Sequence, residues 1–231
     1  FLAGRYISMI IQTYGDGTNS AQVNYDLLQR KLLPQSSGTT PLYFKFPTAN
    51  TDQFVNVRVR GLTTTVNPEY TYGQITSQLE LFAPDPNYYS SNEQTALLAY
   101  TPPTGRVYNR VYNLVYGGGS AVITTTVTNN GWATTYPVID LNGTITNPII
   151  GNTTQNAYLS FDCTLTSSDH LVIDLYNKLV TLNGLPARNL LVGGTWFSAL
   201  PGNNEYYLTG DVGSYLIDTT KATITWNSAY V

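Results

Sequence analysis

Two alternating stretches joined by a short polar connection constrain this chain most. In the first, Val55, Val57 and Val59 share one face, with Asn56, Arg58 and Arg60 on the other; in the second, Leu79, Leu81 and Ala83 lie opposite Gln78 and Glu80. A repeat of two is the signature of a strand with one buried face. Tyr70-Thr71-Tyr72-Gly73 lies in the connection, and Pro84-Asp85-Pro86 ends the second strand abruptly, because proline offers no N–H to a ladder. Neither pattern makes an active site.

Composition points the same way. Charged residues make up 11% of the 231 residues, against roughly 25% in typical globular proteins. Thr, Asn, Ser, Gln and 19 tyrosines supply the polarity instead. β-Branched and aromatic side chains fit a pleated surface, so strands are favoured. A neutral polar surface also suits permanent packing between subunits, since few charges need desolvating; an extracellular adhesin has the same composition. The length allows one large β domain or two ordinary ones, with a core that needs no staples.

Charge and motif counts exclude several classes. Net charge is −3, and no basic cluster exceeds Arg30-Lys31, so the basic stripe required for binding nucleic acid through phosphates is missing. Apolar runs such as Ala121-Val122-Ile123 are far too short to span a membrane as a helix. The single cysteine, Cys163, rules out an internal disulfide framework. It alternates in phase with Leu159, Phe161 and Leu165, which predicts a buried, inert thiol. The chain opens Phe1-Leu2-Ala3-Gly4-Arg5 without an initiator methionine or a visible signal peptide, and a preceding portion is expected to be absent.

Residues 5–14 read as a strand ended by Gly15-Asp16-Gly17. A helix of two to three turns is expected from an Asn24 cap, with Asp26 in its first turn, Leu28 and Leu32 stacked, and Pro34 ending it. Strands are expected at 42–46, 54–64, 75–82 and 93–100. Thr101-Pro102-Pro103-Thr104-Gly105 and Gly117-Gly118-Gly119 then suggest a linker over 101–120. Beyond it, Asn130-Gly131, Asn142-Gly143, Gly151-Asn152, Asn183-Gly184 and Pro201-Gly202 read as turns between short strands, the spacing of a sandwich or barrel. A hairpin is expected over 171–182 and a last strand over 222–226.

The 58–90 segment with its Ala-Pro-Asp-Pro-Asn-Tyr-Tyr-Ser ending resembles the ring domain of distal tail proteins of long-tailed bacteriophages. Val127 to Ile139, Leu141 to Ile150, the 171–182 hairpin, Asn183-Gly184 and Thr195 to Asn204 resemble, in the same order, the C-terminal sandwich of phage distal and minor tail proteins. The resemblance implies an all-β fold with one short helix: a ring-forming domain over 1–100, a linker over 101–120 and a peripheral β-sandwich over 121–231, galectin-like or like a carbohydrate module. It implies a virion component, assembled in the host cytoplasm, in which six copies close a ring. The ring's partners are then the tail tube, the tape-measure protein and the tail-tip hub or receptor-binding proteins. Arg58 and Arg60 are candidate interface residues.

His170, the only histidine, follows Asp169 and two serines, but the segment reads as a turn, and a triad cannot be inferred from sequence neighbours. One His and one Cys cannot make an all-His/Cys zinc site. Asp16-Gly17-Thr18-Asn19 and Asp140-Leu141-Asn142 offer oxygen ligands without a twelve-residue calcium loop, and both read as turns. Gly117-Gly118-Gly119 lacks the Lys-Ser/Thr of a phosphate loop. The expectation is a non-enzymatic protein without cofactor, metal or catalytic residues. The alternative is an adhesin recognising host-surface glycans, with Trp132, Trp196, Trp226 and Tyr136 as candidate sugar platforms, Trp132 the most exposed and Trp226 in the core. A glycan-degrading enzyme is the third reading, and no persuasive carboxylate pair supports it.

Overall fold

The computed structural model describes residues 4–33, 38–47, 51–65, 68–99, 122–211 and 220–231. The chain forms two compact units, one over residues 1–91 and the other over 92–230. The expected linker at 101–120 lies outside the described residues.

In the first unit, β1 (Arg5–Tyr14) is followed by α1 (Ala21–Lys31), β2 (Thr40–Phe44), β3 (Gln53–Thr65), β4 (Gln74–Ala83) and β5 (Tyr88–Ser90). The sheet runs β1-β4-β3, with β2 also paired to β3, all antiparallel. The polar connection between β3 and β4 is a 3-10 turn, Pro68–Tyr72. A bulge between Val59 and Gly61 shifts the β3–β4 register. Past Pro84-Asp85-Pro86 the chain rejoins β3 as β5, Phe54 opposite Tyr89 and Gln53 opposite Ser90. The alternation holds: Val55, Val57, Val59, Leu79, Leu81 and Ala83 form the buried cluster.

The helix starts earlier than its sequence suggests. Ser20 rather than Asn24 is the N-cap, its Oγ accepting from the Val23 N–H at 3.4 Å. Asn24 is occupied elsewhere, donating to the Tyr14 carbonyl at 2.9 Å, while Asp16 accepts from the Thr18 and Asn19 N–H groups in a tight turn. Those two bonds hold the Asp16 carboxyl below its ordinary value. Asp26 consequently falls in mid-helix, where Gln22 donates to it at 2.9 Å.

The second unit comprises β6 (Gln94–Ala99), β7 (Ile123–Asn129), β8 (Val138–Asn142), β9 (Ile145–Thr146), β10 (Ile149–Asn152), β11 (Ala157–Phe161), β12 (Thr164–Leu165), β13 (His170–Asp174), β14 (Leu179–Leu182), β15 (Leu185–Pro186), β16 (Leu191–Gly194), β17 (Gly202–Thr209) and β18 (Thr220–Trp226). One sheet has the order β16-β11-β10-β17-β7, another β15-β14-β13-β8-β18-β6, and β9 pairs with β12. Thus Gln94–Ala99 pairs with Thr220–Trp226 in the second unit's sheet. The two large sheets enclose one core: Ile150, Leu159, Phe161, Tyr206 and Leu208 from the first, Leu98, Ile139, Leu141, Leu171, Ile173, Ile224 and Trp226 from the second. This is the sandwich that the turn spacing implies.

Local turn chemistry explains most boundaries. Asn183 and Gly184 both take positive φ, 51° and 81°, as a two-residue hairpin turn between β14 and β15 requires. Gly151-Asn152, in contrast, is no turn; both residues lie inside β10. Several asparagines are buried bracing groups. Asn204 bonds both the N–H and the carbonyl of Leu200, and Asn129 donates to the Ala133 and Ala199 carbonyls. Such groups persist in a core only when their bonding is satisfied.

Candidate assembly surface

The first unit's most unusual feature is the outer face of β1. Ile7 and Ile11 turn inward and pack against the buried cluster, whereas Tyr6, Ser8, Ile10, Gln12 and Tyr14 turn outward. Tyr6 is 71% exposed and Ile10 76%. Among the described residues β1 pairs with β4 alone, leaving a ten-residue edge free. Only Arg5 in this strand is charged, and it contains no proline. Long, apolar, uncharged edges invite pairing with another chain unless something covers them.

Neighbouring side chains on β3 and β4 extend this face and bring Arg60 and Glu80 to it. The Tyr6 ring lies 5.0 Å from that of Phe82, and Arg60 holds its guanidinium 5.8 Å from the Phe82 centroid. Gln78 donates to Ser8 across the strands at 3.0 Å. Of the two arginines singled out in the sequence, Arg60 is exposed and Arg58 is half-buried, its Nε enclosed. Arg5 contacts Tyr88 through both its hydroxyl and the face of its ring. The helix leaves Val23, Leu27 and the following Leu33 exposed as well. The alternation of residues 5–14 is readable in the sequence, but which edge stays unpaired depends on strand order, which has no local signal.

The histidine, the cysteine and the candidate oxygen ligands are dispersed. His170 opens β13 and faces Asp140 on β8, Nδ1 lying 3.2 Å from both carboxylate oxygens. Asp169 instead closes the preceding turn, accepting from Thr166 and Asn183. Asp140 and Asn142 sit in a strand rather than a turn, whereas Asp16 lies in the expected one. Among the described residues no three His, Cys, Asp or Glu side chains gather as a metal site, and no helix is long and apolar enough to cross a membrane. Cys163 is half-buried rather than buried, since the strand ends at Phe161 and β12 begins only at Thr164; partial burial raises its thiol pKa.

The tryptophans separate as well. Trp226 is core, its Nε1 donating to the Thr128 carbonyl at 3.0 Å. Arg188 covers Trp196 at 4.8 Å. Trp132, 68% exposed, stands edge-on to Tyr230 at 4.9 Å. Tyr136 meets Tyr176 edge-on at 5.6 Å.

Comparison with known proteins places this architecture. Residues 130–230 match the family model described as siphovirus-type tail component, C-terminal domain. Among solved structures, the Dit protein (gp 19.1) of phage SPP1, described as a paradigm of the hub adsorption apparatus in phages infecting Gram-positive bacteria, is similar to this chain with TM-score 0.64 and 16% identity. The similarity covers 100% of this chain and 81% of that one. A chain of the phage P2 baseplate, in its activated conformation with calcium, is similar with TM-score 0.53 and 12% identity, over 96% of this chain and 78% of that one. No curated protein matches the chain in sequence. Residues 130–230 are thus similar to the C-terminal domain of siphovirus-type tail components, and the chain as a whole shares the fold of the SPP1 Dit protein.

Proposed function

We propose that this chain is the ring-forming subunit at the distal end of a long phage tail, where six copies join the tail tube to the tip. The observation that carries the reading is the nearly uncharged β1 edge, unpaired among the described residues, on a chain whose residues 130–230 match a tail-component family model. Such an edge is a liability in a monomer and an interface in a ring. Ring contacts are heterologous, each copy offering one face to a different face of the next, and closure leaves none exposed. Covering Tyr6, Ile10 and Tyr14 gains roughly 1.5–3 kcal/mol for each side chain taken fully out of water.

In this reading the first unit makes the ring, and the second offers surfaces to neighbouring tail proteins, among them the hub or receptor-binding proteins. The tape-measure protein and tail tube meet the ring on its axis. The protein works by geometry and not by turnover, as a virion component put together in the host cytoplasm. Electron microscopy of tails carrying a label on this chain tests it. The expected result is a continuous six-fold ring at the distal end of the tube. Single copies hung on the periphery, or contacts made only by the second unit, would overturn it.

A further inference from the structure

The outer face of the five-stranded sheet carries a groove in the second unit. Gly151 on β10 stands opposite Tyr158 on β11 and Tyr207 on β17, so the three share one face of the sheet. Lacking a side chain, Gly151 lets an aromatic ring lie flat against the sheet. The Tyr207 ring lies down onto it: a Cβ on Gly151 would come within 2.5 Å of that ring and 2.7 Å of the Ala157 carbonyl. Tyr158 on the other side is 45% exposed.

The groove there has a volume of about 330 Å³, with Thr153 and Asn156 at its rim. This is the lower end of the size range of small-molecule sites, roughly 300–1,000 Å³. Asn156 takes left-handed geometry at φ 50°, its N–H bonded to the Thr153 carbonyl, and so ends the turn from Thr153 to Gln155. The lining contains no lysine, arginine, histidine or carboxylate. Partial burial, and then the neighbouring Tyr158, raise the Tyr207 phenol above its ordinary value, which keeps it neutral.

We propose that this groove binds a neutral saccharide, a sugar ring resting against Tyr158 and Tyr207 with its hydroxyls on Asn156 and Thr153. A sugar ring presents apolar C–H faces and hydroxyl edges, and the groove presents aromatic rings beside neutral donors and acceptors. A phosphate or carboxylate ligand would find no counter-charge, and would meet the Glu205 carboxylate that accepts from the Thr153 hydroxyl at 3.0 Å; a purely apolar ligand would cover the Asn156 amide without pairing it. The aromatics that sequence alone favours are less suited. Trp226 is core, Trp196 is covered, and Trp132 stands against Tyr230 rather than flanking this groove. The proposal goes beyond the ring reading and does not depend on it.

Saturation-transfer NMR of the full chain with lactose, cellobiose, maltose and diacetylchitobiose tests it. At least one disaccharide is expected to receive saturation. Tyr158→Ala and Tyr207→Ala are each expected to raise its Kd roughly tenfold or more, as truncating a central aromatic anchor does, while Trp132→Ala leaves it unchanged. Tyr158 is exposed, so its variant keeps the fold and separates lost binding from unfolding. Absence of transfer from all four sugars, an unchanged Kd in both tyrosine variants, or loss only in Trp132→Ala would overturn the proposal. Rings seen by electron microscopy with Tyr158→Ala are expected to be normal, so failure here leaves the ring reading standing.

Discussion

The imidazole Nδ1 of His170 sits 3.2 Å from both oxygens of Asp140, thirty residues away, and not on the adjacent Asp169. The pairing follows from register: His170 stands opposite Asn142, two residues beyond Asp140 on the same strand face. Both groups are substantially exposed, at 53% and 38% of the side chain. Exposed pairs contribute little. His170→Ala is expected to cost less than about 1 kcal/mol and to leave tail assembly and infectivity near normal. Correctly assembled but non-infectious particles would reveal chemistry at this residue.

Assembly is expected to fail on a charge at the β1 edge. Ile10→Lys places an ammonium on the exposed outer face, a device that blocks edge pairing, and it removes no buried contact. The isolated chain should keep its urea midpoint within about 0.5 kcal/mol, while tails built with it lack the distal ring. Normal rings would mean that another surface closes them.

Gly151 is held by its neighbours rather than by a turn. Gly151→Ala is expected to destabilise by about 1–3 kcal/mol, as overpacking does. The Ala157 carbonyl at 2.7 Å from the new methyl belongs to the backbone and cannot rotate away. A urea titration of the full chain reads the loss as a lower midpoint.

Asp169 gives a pH signature. Side-chain bonds from Asn183 and Thr166 hold its carboxyl at about 2, below the ordinary 3.8. A carboxyl depressed on folding contributes stability above its unfolded value and loses that contribution as pH falls through the folded one. Asp169→Asn should therefore lower Tm at neutral pH, and the difference from the parent chain should shrink between about pH 4 and 2. A difference independent of pH would assign the effect to geometry alone.

Trp226→Phe keeps most of the ring volume but deletes the Nε1 bond to the Thr128 carbonyl. Leaving that acceptor unpaired is expected to cost about 1–3 kcal/mol, measured as a lower urea midpoint.

Alternation alone made several elements readable. Val55-Val57-Val59 and Leu79-Leu81-Ala83 are buried, and Ala222, Ile224 and Trp226 point into the sandwich core, because a repeat of two on a pleated strand leaves one face for the interior. Asn183-Gly184 was equally legible, since few other dipeptides accept two positive φ angles in succession. Gly151-Asn152 looked the same on paper and is a strand. Its glycine answers to the Tyr207 ring, 56 residues away, and its asparagine to the Ser198 carbonyl. The helix start was misplaced because Asn24 and Ser20 are both good caps, and only the Tyr14 carbonyl and Asp16 draw Asn24 away.

By itself the sequence determined that this chain is an all-β protein with one short helix. It also determined which side of several strands faces inward, β3, β4 and β18 among them, since periodicity and composition act locally. Tertiary structure alone decided which strand stands at the edge, that Asp140 rather than Asp169 meets His170, and that the Tyr207 ring covers Gly151 beside Tyr158. These relations depend on strand order and register between segments far apart in the chain. Periodicity within a strand carries no information about which strand lies beside it.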